Sequence, residues 1–375
     1  MNQMQSNTIP ETVGIAGAGL VGRLLAWQLS RLGCKVTLFD SGKIINAQNA
    51  AAAFTAAGMI APLSEAVVSD ANVYRMGQYA LMRWPQWISE LLFEELSSAT
   101  EPLFFHNGSL VIAHPQDESE LAQFANELNF VIPECTSYQR INQQQIHELE
   151  PDLHSQFSEG LFLSEEGHLH NREFLYRLTQ ELIRLGCEFK ENTQVELQSF
   201  CIKSSESTYP FSVVIDCRGV GAKKDLTGLR GVRGETLHVE TNEVHFQRPI
   251  RLMHPRYQLY IVPKPNNRFI IGATQIESED RTAISIQSTL ELSSALYTLS
   301  PAFAEARIIE TDTNLRPAFS DNLPRIDIKN GIIRANGLFR HGYLLAPAVV
   351  DSILSRLTKQ PETPFCHLLN HLSSS

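Results

Sequence analysis

No cysteine pair, basic tract or long apolar run organises this sequence. The six cysteines, Cys34, Cys135, Cys187, Cys201, Cys217 and Cys366, are scattered, with no C-x-x-C and no Cys/His spacing. Neither a zinc site nor a disulfide framework is therefore signalled, and buried free thiols in a reducing, cytoplasmic compartment are the simplest account. Basic residues are outnumbered by acidic ones, 31 to 41, for a net charge of -10. Nucleic acid is excluded as a principal partner, because phosphate binding needs clustered Lys and Arg. The Arg-richer stretch 218–256 is interleaved with Asp225, Glu235, Glu240 and Glu243 and reads as a mixed, solvated surface. The Ala-rich stretch 47–63 is interrupted by Gln48, Asn49, Thr55 and Pro62, so no transmembrane segment is expected. Met1–Glu11 is polar and lacks the apolar core of a signal peptide. Short internal repeats and low-complexity tracts are also missing.

What is present starts at Val13. The run Gly17-Ala18-Gly19-Leu20-Val21-Gly22 has the G-x-G-x-x-G spacing, between an apolar strand at Thr12–Ala16 and a helical pattern at Val21–Leu32. Val36–Phe39 reads as the next strand and ends on Asp40. Gly17 permits the tight turn, Gly19 lets a pyrophosphate reach the backbone, and Gly22 lets helix and strand pack closely. The helix amides and the positive end of the dipole then face the phosphates, and Asp40 can accept from ribose hydroxyls. An ordinary strand-turn-helix is the bland reading of the glycines; strand, helix, second strand and terminal acid in register favour dinucleotide binding. The motif names neither the dinucleotide nor the chemistry.

The remaining chain alternates in character. Asn72–Leu96 is helical in pattern, with a kink or restart expected at Pro85. Leu110–Ala113 reads as a strand and Glu118–Leu128 as a helix. Phe174–Leu185 is a helix, with strands at Cys187–Lys190 and Val213–Asp216. Residues 231–311 are read as mostly strand, with a hairpin of Leu259–Val262 and Arg268–Gly272 around Pro265-Asn266-Asn267. The pattern implies an α/β protein with a discontinuous nucleotide-binding domain (10–85, 152–230 and 312–362). A second, mostly antiparallel α+β domain (86–151 and 231–311) is inserted as two excursions, with ligands expected where the domains meet.

Five segments could carry chemistry. Ala56–Pro62 has small residues in a row, either a tight core loop or backbone laid against a flat ring system. Val213–Ala222 is a strand running into a turn at Gly219 that returns the chain toward the dinucleotide, or merely a strand end. Tyr260 lies on a strand, where a tyrosine is ordinarily packing and gains interest beside a cation. Arg316, in Asn314-Leu315-Arg316-Pro317, and Arg340, in Asn336–Pro347, sit in apolar neighbourhoods where a cation needs an anionic partner. That partner is a structural carboxylate or a bound one, since guanidinium matches either as a planar fork. A helix starting near Leu345, with Gly342 before it, could stabilise negative charge on a cofactor ring.

Together these segments resemble the flavin amine oxidases of the D-amino-acid oxidase family, most closely the glycine oxidases of thiamine biosynthesis, over nearly the whole length from Thr12 to Leu357. The resemblance rests on Ala56–Pro62, Leu259–Thr274, Leu315-Arg316-Pro317 and Gly337–Pro347, in that order. It implies an FAD-binding Rossmann-like domain with the inserted substrate domain, and FAD rather than a nicotinamide. Gly17, Ala18, Gly19, Leu20, Val21, Gly22 and Asp40 are expected to hold the ADP half, and Val195, in a strand-like Thr193–Leu197, the adenine by its backbone. Gly219 is expected on the cofactor, and Gly58 and Met59 near the isoalloxazine. Arg340 and His341 are expected to adjoin the flavin, whose pyrimidine edge Gly342, Tyr343, Leu344 and Leu345 cap. Arg316 is expected to pair with a substrate carboxylate, Tyr260 to hydrogen-bond it, and Arg340 to support the same anion.

The activity implied is oxidation of a small amino acid, whose neutral amine gives up hydride to the flavin. Dioxygen then takes the electrons to give hydrogen peroxide. The imine hydrolyses to a keto acid and ammonia or passes to thiazole synthesis. No side-chain base is needed at the α-carbon, and no catalytic residue or metal is assigned. Gln275, at an often apolar position, Leu338 for a frequent His and His341 for a frequent Asn depart from the family pattern and bear on the substrate rather than the fold. With no cysteine between Cys217 and Cys366, FAD is expected to be non-covalent. Glycine is the first substrate, with sarcosine or a small D-amino acid, or a quinone-linked dehydrogenase, as alternatives. A flavin-holding assembly partner without turnover is the alternative of another class. A homo-oligomer is compatible with all of these.

Overall fold

The strand Thr12–Ala16 lies inside a six-stranded sheet ordered Arg325–Lys329, Ile332–Asn336, Val213–Asp216, Thr12–Ala16, Lys35–Phe39, Glu188–Lys190. Neighbours are parallel except for the hairpin of the first two. Ile15 stands opposite Leu38 on one side and Ile215 on the other. Successive residues of the inner strands are buried, which explains the unalternating runs TVGIA and KVTLF. A computed structural model of the chain describes residues 9–45, 51–91, 101–133, 135–254, 257–358 and 361–366.

The chain forms two compact units. The first comprises residues 1–54, 172–231 and 316–375, the second 55–171 and 232–315. The six-stranded sheet belongs to the first. Its helix Leu20–Arg31 buries Leu24, Leu25, Trp27 and Leu29, and the helices Asn171–Arg184 and Gly342–Leu357 complete its main helical complement. Residues 55–85 and 152–171, expected above in the nucleotide-binding domain, group with the second unit instead. Backbone pairing is the reason: Met59–Ile60 joins Gly167–Leu169, and Glu159–Leu163 joins Ser109–Ala113.

The second unit is built on an eight-stranded sheet. Its order is Arg307–Ala318, Arg230–Glu240, Arg268–Gly272, Tyr257–Lys264, Ile250–His254, Ser109–Ala113, Glu159–Leu163, Tyr138–Asn142. One face carries Leu237, Ile271, Ile261 and Leu252, which pack with Leu292, Ala295, Leu296 and Leu299 of the helix Ile286–Leu299. That helix corrects the expectation of mostly strand in 231–311. Ser285 caps it, its Oγ accepting from the Ser288 amide at 3.0 Å, and its buried residues follow the helical rather than the alternating period. On the other face Val262 and Ile270 pack with Ala57, Met59 and Tyr260.

Three further expectations change. The helix Ala71–Leu91 runs through Pro85 without restarting, held by the buried Trp84 and Trp87 on either side of it; positions 92–96 of the expected helix lie outside the described residues. So do 1–8 and 47–50 of the stretches judged against signal peptides and membrane spans. The C-terminal helix begins at Gly342, not near Leu345, and Val195 precedes the short strand Glu196–Gln198 rather than lying in one.

Candidate functional site

The turn after Thr12–Ala16 is fixed by space and by hydrogen bonds. Gly17 has φ +99, and a Cβ on it would stand 2.4 Å from the Cys217 carbonyl oxygen. A Cβ on Gly22 would stand 1.9 Å from the Gly17 oxygen, so the helix seats against the turn only because residue 22 has no side chain. The Ala18 amide donates to Asp40 Oδ2 at 2.7 Å and the Gly42 amide to Oδ1 at 2.9 Å. A carboxylate accepts at about four lone-pair positions, so capacity for ribose hydroxyls remains. At the helix start Gly19 carries no side-chain cap and no acid follows in the first turn, so the helix amides face outward as donors. A Cβ on Gly19 would make only an ordinary contact, with Ala51 Cβ at 3.6 Å, so no clash requires glycine there.

Arg23 was not singled out from the sequence. It is buried on that helix, donating from Nε to the Ala18 carbonyl at 2.7 Å, from Nη2 to the Ile44 carbonyl at 3.0 Å and from Nη1 to the Thr179 hydroxyl. Burial lowers its pKa to about 10, with the charge of Asp40 opposing. The signal was a lone charge among Leu20, Leu24 and Leu25, on a face that should be apolar.

Val195 and Gly219 are each held by a side chain of the same unit. Arg218 forms a fork on Asp216, with Nε to Oδ1 at 2.9 Å and Nη2 to Oδ2 at 2.7 Å, and reaches the Val195 carbonyl from Nη1 at 3.4 Å. Burial opposes the Arg218 charge, but Asp216 and then Asp225 more than offset it and raise the pKa. Asn336 Nδ2 donates to the Gly219 carbonyl at 2.9 Å. The Asn336 bond is not legible in the sequence because Gly219 lies 117 positions away, whereas the Arg218 fork closes on Asp216 only two residues before it.

At the C-terminal helix, His341 precedes the first turn without a side-chain cap, and a Cβ on Gly342 would meet nothing within 4 Å. Tyr343, Leu344 and Leu345 are buried in the protein, and the Tyr343 hydroxyl donates to the Ala53 carbonyl at 3.1 Å. Their backbones rather than their side chains are thus available to a ligand. Arg316, on Arg307–Ala318, and Arg340 are both half-buried. All these residues belong to the first unit.

Gly58, Met59 and Tyr260 belong to the second. Three hydrogen bonds end on the segment Ala56–Met59, and a fourth ties Lys264 to the neighbouring Leu169. Asn171 Nδ2 donates to the Ala56 carbonyl at 2.7 Å; Lys264 Nζ donates to the Ala57 carbonyl at 2.7 Å and the Leu169 carbonyl at 2.6 Å; the Leu169 amide donates to the Gly58 carbonyl at 2.8 Å. Tyr260 is half-buried, with Gly272 opposite it on one neighbouring strand and Arg251 on the other. Arg251 is buried and paired with Glu65, Nη2 to Oε1 at 2.7 Å. Nearby Glu166, fully buried, accepts from the Ser64 amide at 2.6 Å, Ser64 Oγ at 3.1 Å and Ser109 Oγ at 2.5 Å. Burial pushes its pKa up to about 7 against those bonds. Gln275 is exposed. Among the described residues no group of three or more His, Cys, Asp or Glu is placed to hold a metal, and no helix is long and apolar enough to cross a membrane.

Residues 12–351 match the family of FAD dependent oxidoreductases (DAO). A Rhizobium etli protein named for thiamine biosynthesis as the oxidoreductase ThiO is 38% identical over 93% of this chain and 97% of its own. The glycine oxidase of Geobacillus kaustophilus is 23% identical over 94% of each chain. Its crystal structure aligns with a TM-score of 0.81 over 98% of this chain and 100% of that one. The iminodiacetate oxidase of Chelativorans sp. aligns with a TM-score of 0.79 at 22% identity, over 94% of this chain and 97% of that one.

Proposed function

The chain belongs to the FAD-dependent oxidoreductase family of the D-amino-acid oxidases, and from that we propose that it oxidises glycine or a similarly small amino acid, with dioxygen as acceptor, as a step toward the thiazole of thiamine. FAD fits the frame described. Of the glycines expected beside the cofactor, Gly342 has open space where a Cβ would point and Gly19 has only an ordinary contact with Ala51, and both adjoin helix starts without side-chain caps. In this reading Gly17–Gly22 and Asp40 hold the ADP half, Val195 and Gly219 the adenine side, and the amides of Gly342–Leu345 the pyrimidine edge of the ring. Gly58 and Met59 lie against the ring, with Arg340 beside it. Bound non-covalently, FAD supplies the hydride acceptor.

The observation that carries the amino-acid reading is Arg316, a half-buried guanidinium in the same unit as the dinucleotide turn. It binds the substrate carboxylate as a fork, and the Tyr260 hydroxyl donates to the same group. Two points of attachment on the carboxylate fix where the α-carbon lies. The names of the Rhizobium and Geobacillus relatives support glycine and the thiamine context. The free thiols of all six cysteines support action in the cytoplasm.

Anaerobic bleaching of the bound flavin by glycine, sarcosine and small D-amino acids, with peroxide measured on readmitting air, is the test. Bleaching by glycine with peroxide release is expected. Activity on bulky D-amino acids with none on glycine overturns the substrate. No bleaching by any amine overturns amine oxidation and favours a flavin-holding partner.

A further inference from the structure

Lys264 is placed to do more than cover the sheet. It lies on the same strand as Tyr260 and Val262, and strand alternation puts all three on the face that carries Met59 and Ala57. Its half-buried ammonium donates to two carbonyls, Ala57 at 2.7 Å and Leu169 at 2.6 Å. Those carbonyls lie on segments that are themselves joined, Leu169 N to Gly58 O at 2.8 Å and Met59 opposite His168. One cation therefore ties the first residues of the Ala57–Ile60 segment to the strand it pairs with. Gly58 sits inside this tie with φ +73, and a Cβ there would stand 2.8 Å from the Leu169 oxygen, so the segment has no slack. A charge-assisted bond to a carbonyl is stronger than a neutral one, and a cation held on two of them is costly to displace.

We infer that Lys264 is the positioning residue of the flavin-facing segment, fixing the Ala57–Met59 backbone and placing a positive charge behind it. The inference rests on the reading that Gly58 and Met59 lie against the flavin ring. Two effects follow. The backbone that meets the ring is held before the cofactor arrives, which favours FAD binding. The nearby cation favours the electron-rich reduced ring over the oxidised one, which raises the reduction potential.

The test uses apoprotein reconstituted with FAD, followed by flavin fluorescence quenching, and the reduction potential of the bound flavin; ADP binding is measured in parallel. Lys264→Met is expected to weaken FAD binding about tenfold or more. It should shift the potential to a more negative value and leave ADP binding within about twofold, because the ADP half is assigned to the other unit. Lys264→Arg, which keeps charge and donors, is expected to recover most of the FAD affinity. Unchanged FAD affinity and potential in Lys264→Met overturn the inference. Equal losses for FAD and ADP also overturn it, since a general loss of fold explains them. Should Lys264→Met fail to fold, Lys264→Gln decides by the same measurements and the same criteria. None of these readouts uses an amine, so they stand whether or not glycine is the substrate. Met59→Ala separates the premise: if it leaves both affinity and potential unchanged as well, the segment does not face the flavin; if it alters them while Lys264→Met does not, only the role of Lys264 falls.

Discussion

The Ala18 amide and the Asp40 carboxylate are joined at 2.7 Å, so the glycine turn and the end of the next strand form one hydrogen-bonded piece. Asp40 thus shapes the turn, and in the proposed function it also receives the ribose.

Asp40→Ala removes both. A hydrogen bond to a charged group contributes about 1.5–3 kcal/mol, so FAD affinity should fall by roughly tenfold to a hundredfold. Asp40→Asn keeps one acceptor and should lose less. Titration of FAD into the apoproteins measures both, and an Asp40→Ala variant that binds like the wild type removes Asp40 from the ADP subsite.

Gly22→Ala and Gly342→Ala should fail in different ways. The added methyl at 22 meets the Gly17 oxygen at 1.9 Å and must push helix from turn. Overpacking of this kind costs about 1–3 kcal/mol, a drop of several degrees in melting temperature even without FAD. Beyond its chain neighbours and its own helix backbone, the methyl at 342 meets nothing within 4 Å, so the apoprotein should melt as the wild type does while FAD binding weakens. Equal melting losses in the two variants would contradict this division.

Arg316→Ala should raise KM for the amine about tenfold or more, because the substrate carboxylate loses a charge-assisted fork. Arg316→Lys should recover only part, since a point charge does not reproduce the planar fork. Steady-state kinetics with glycine suffices; an unchanged KM would assign the carboxylate to another cation.

Glu166 gives the protein a pH-dependent stability. Its folded pKa is raised from 4.5 to about 7, chiefly by burial, so the folded state holds a proton that the unfolded state has released. The contribution is complete below about pH 4.5 and is lost as pH rises through about 7. Glu166→Gln carries no such proton and should therefore gain stability relative to wild type between pH 5 and pH 8. Urea midpoints at the two pH values measure it; an identical wild-type-to-variant difference at both would mean that the carboxyl titrates normally.

Much of the first unit could be read along the chain because its signals are local. The strand Thr12–Ala16, the turn glycines and Asp40 are contiguous, and their roles follow from turn geometry and helix dipoles. The same holds for the hairpin through Arg268–Gly272. Arg23, Lys264, Asn336 and the Arg251–Glu65 pair were not legible. Each is defined by a partner far off in sequence, and a lone polar residue in an apolar pattern does not say which backbone it will meet. Residues 55–85 group with the second unit for a related reason: Met59–Ile60 pairs with Gly167–Leu169, more than a hundred residues onward. The helix Ile286–Leu299 departs from the strand expectation for its block, with Ser285 capping it and Leu292, Ala295, Leu296 and Leu299 on its buried face.

The order of the six-stranded sheet also sets a timetable. Its strands come from three distant stretches, and Val213–Asp216 gains its outer neighbour only when Ile332–Asn336 has been made. A ribosome adding about 5–20 residues per second needs roughly 15–60 s to travel from the first strand to that one. Throughout that interval Thr12–Ala16 and its helix exist without their full sheet, while the whole second unit is synthesised and can close. A nascent chain halted before residue 332 lacks the strand beside Val213–Asp216 and the helix start at Gly342, and should retain the coenzyme poorly.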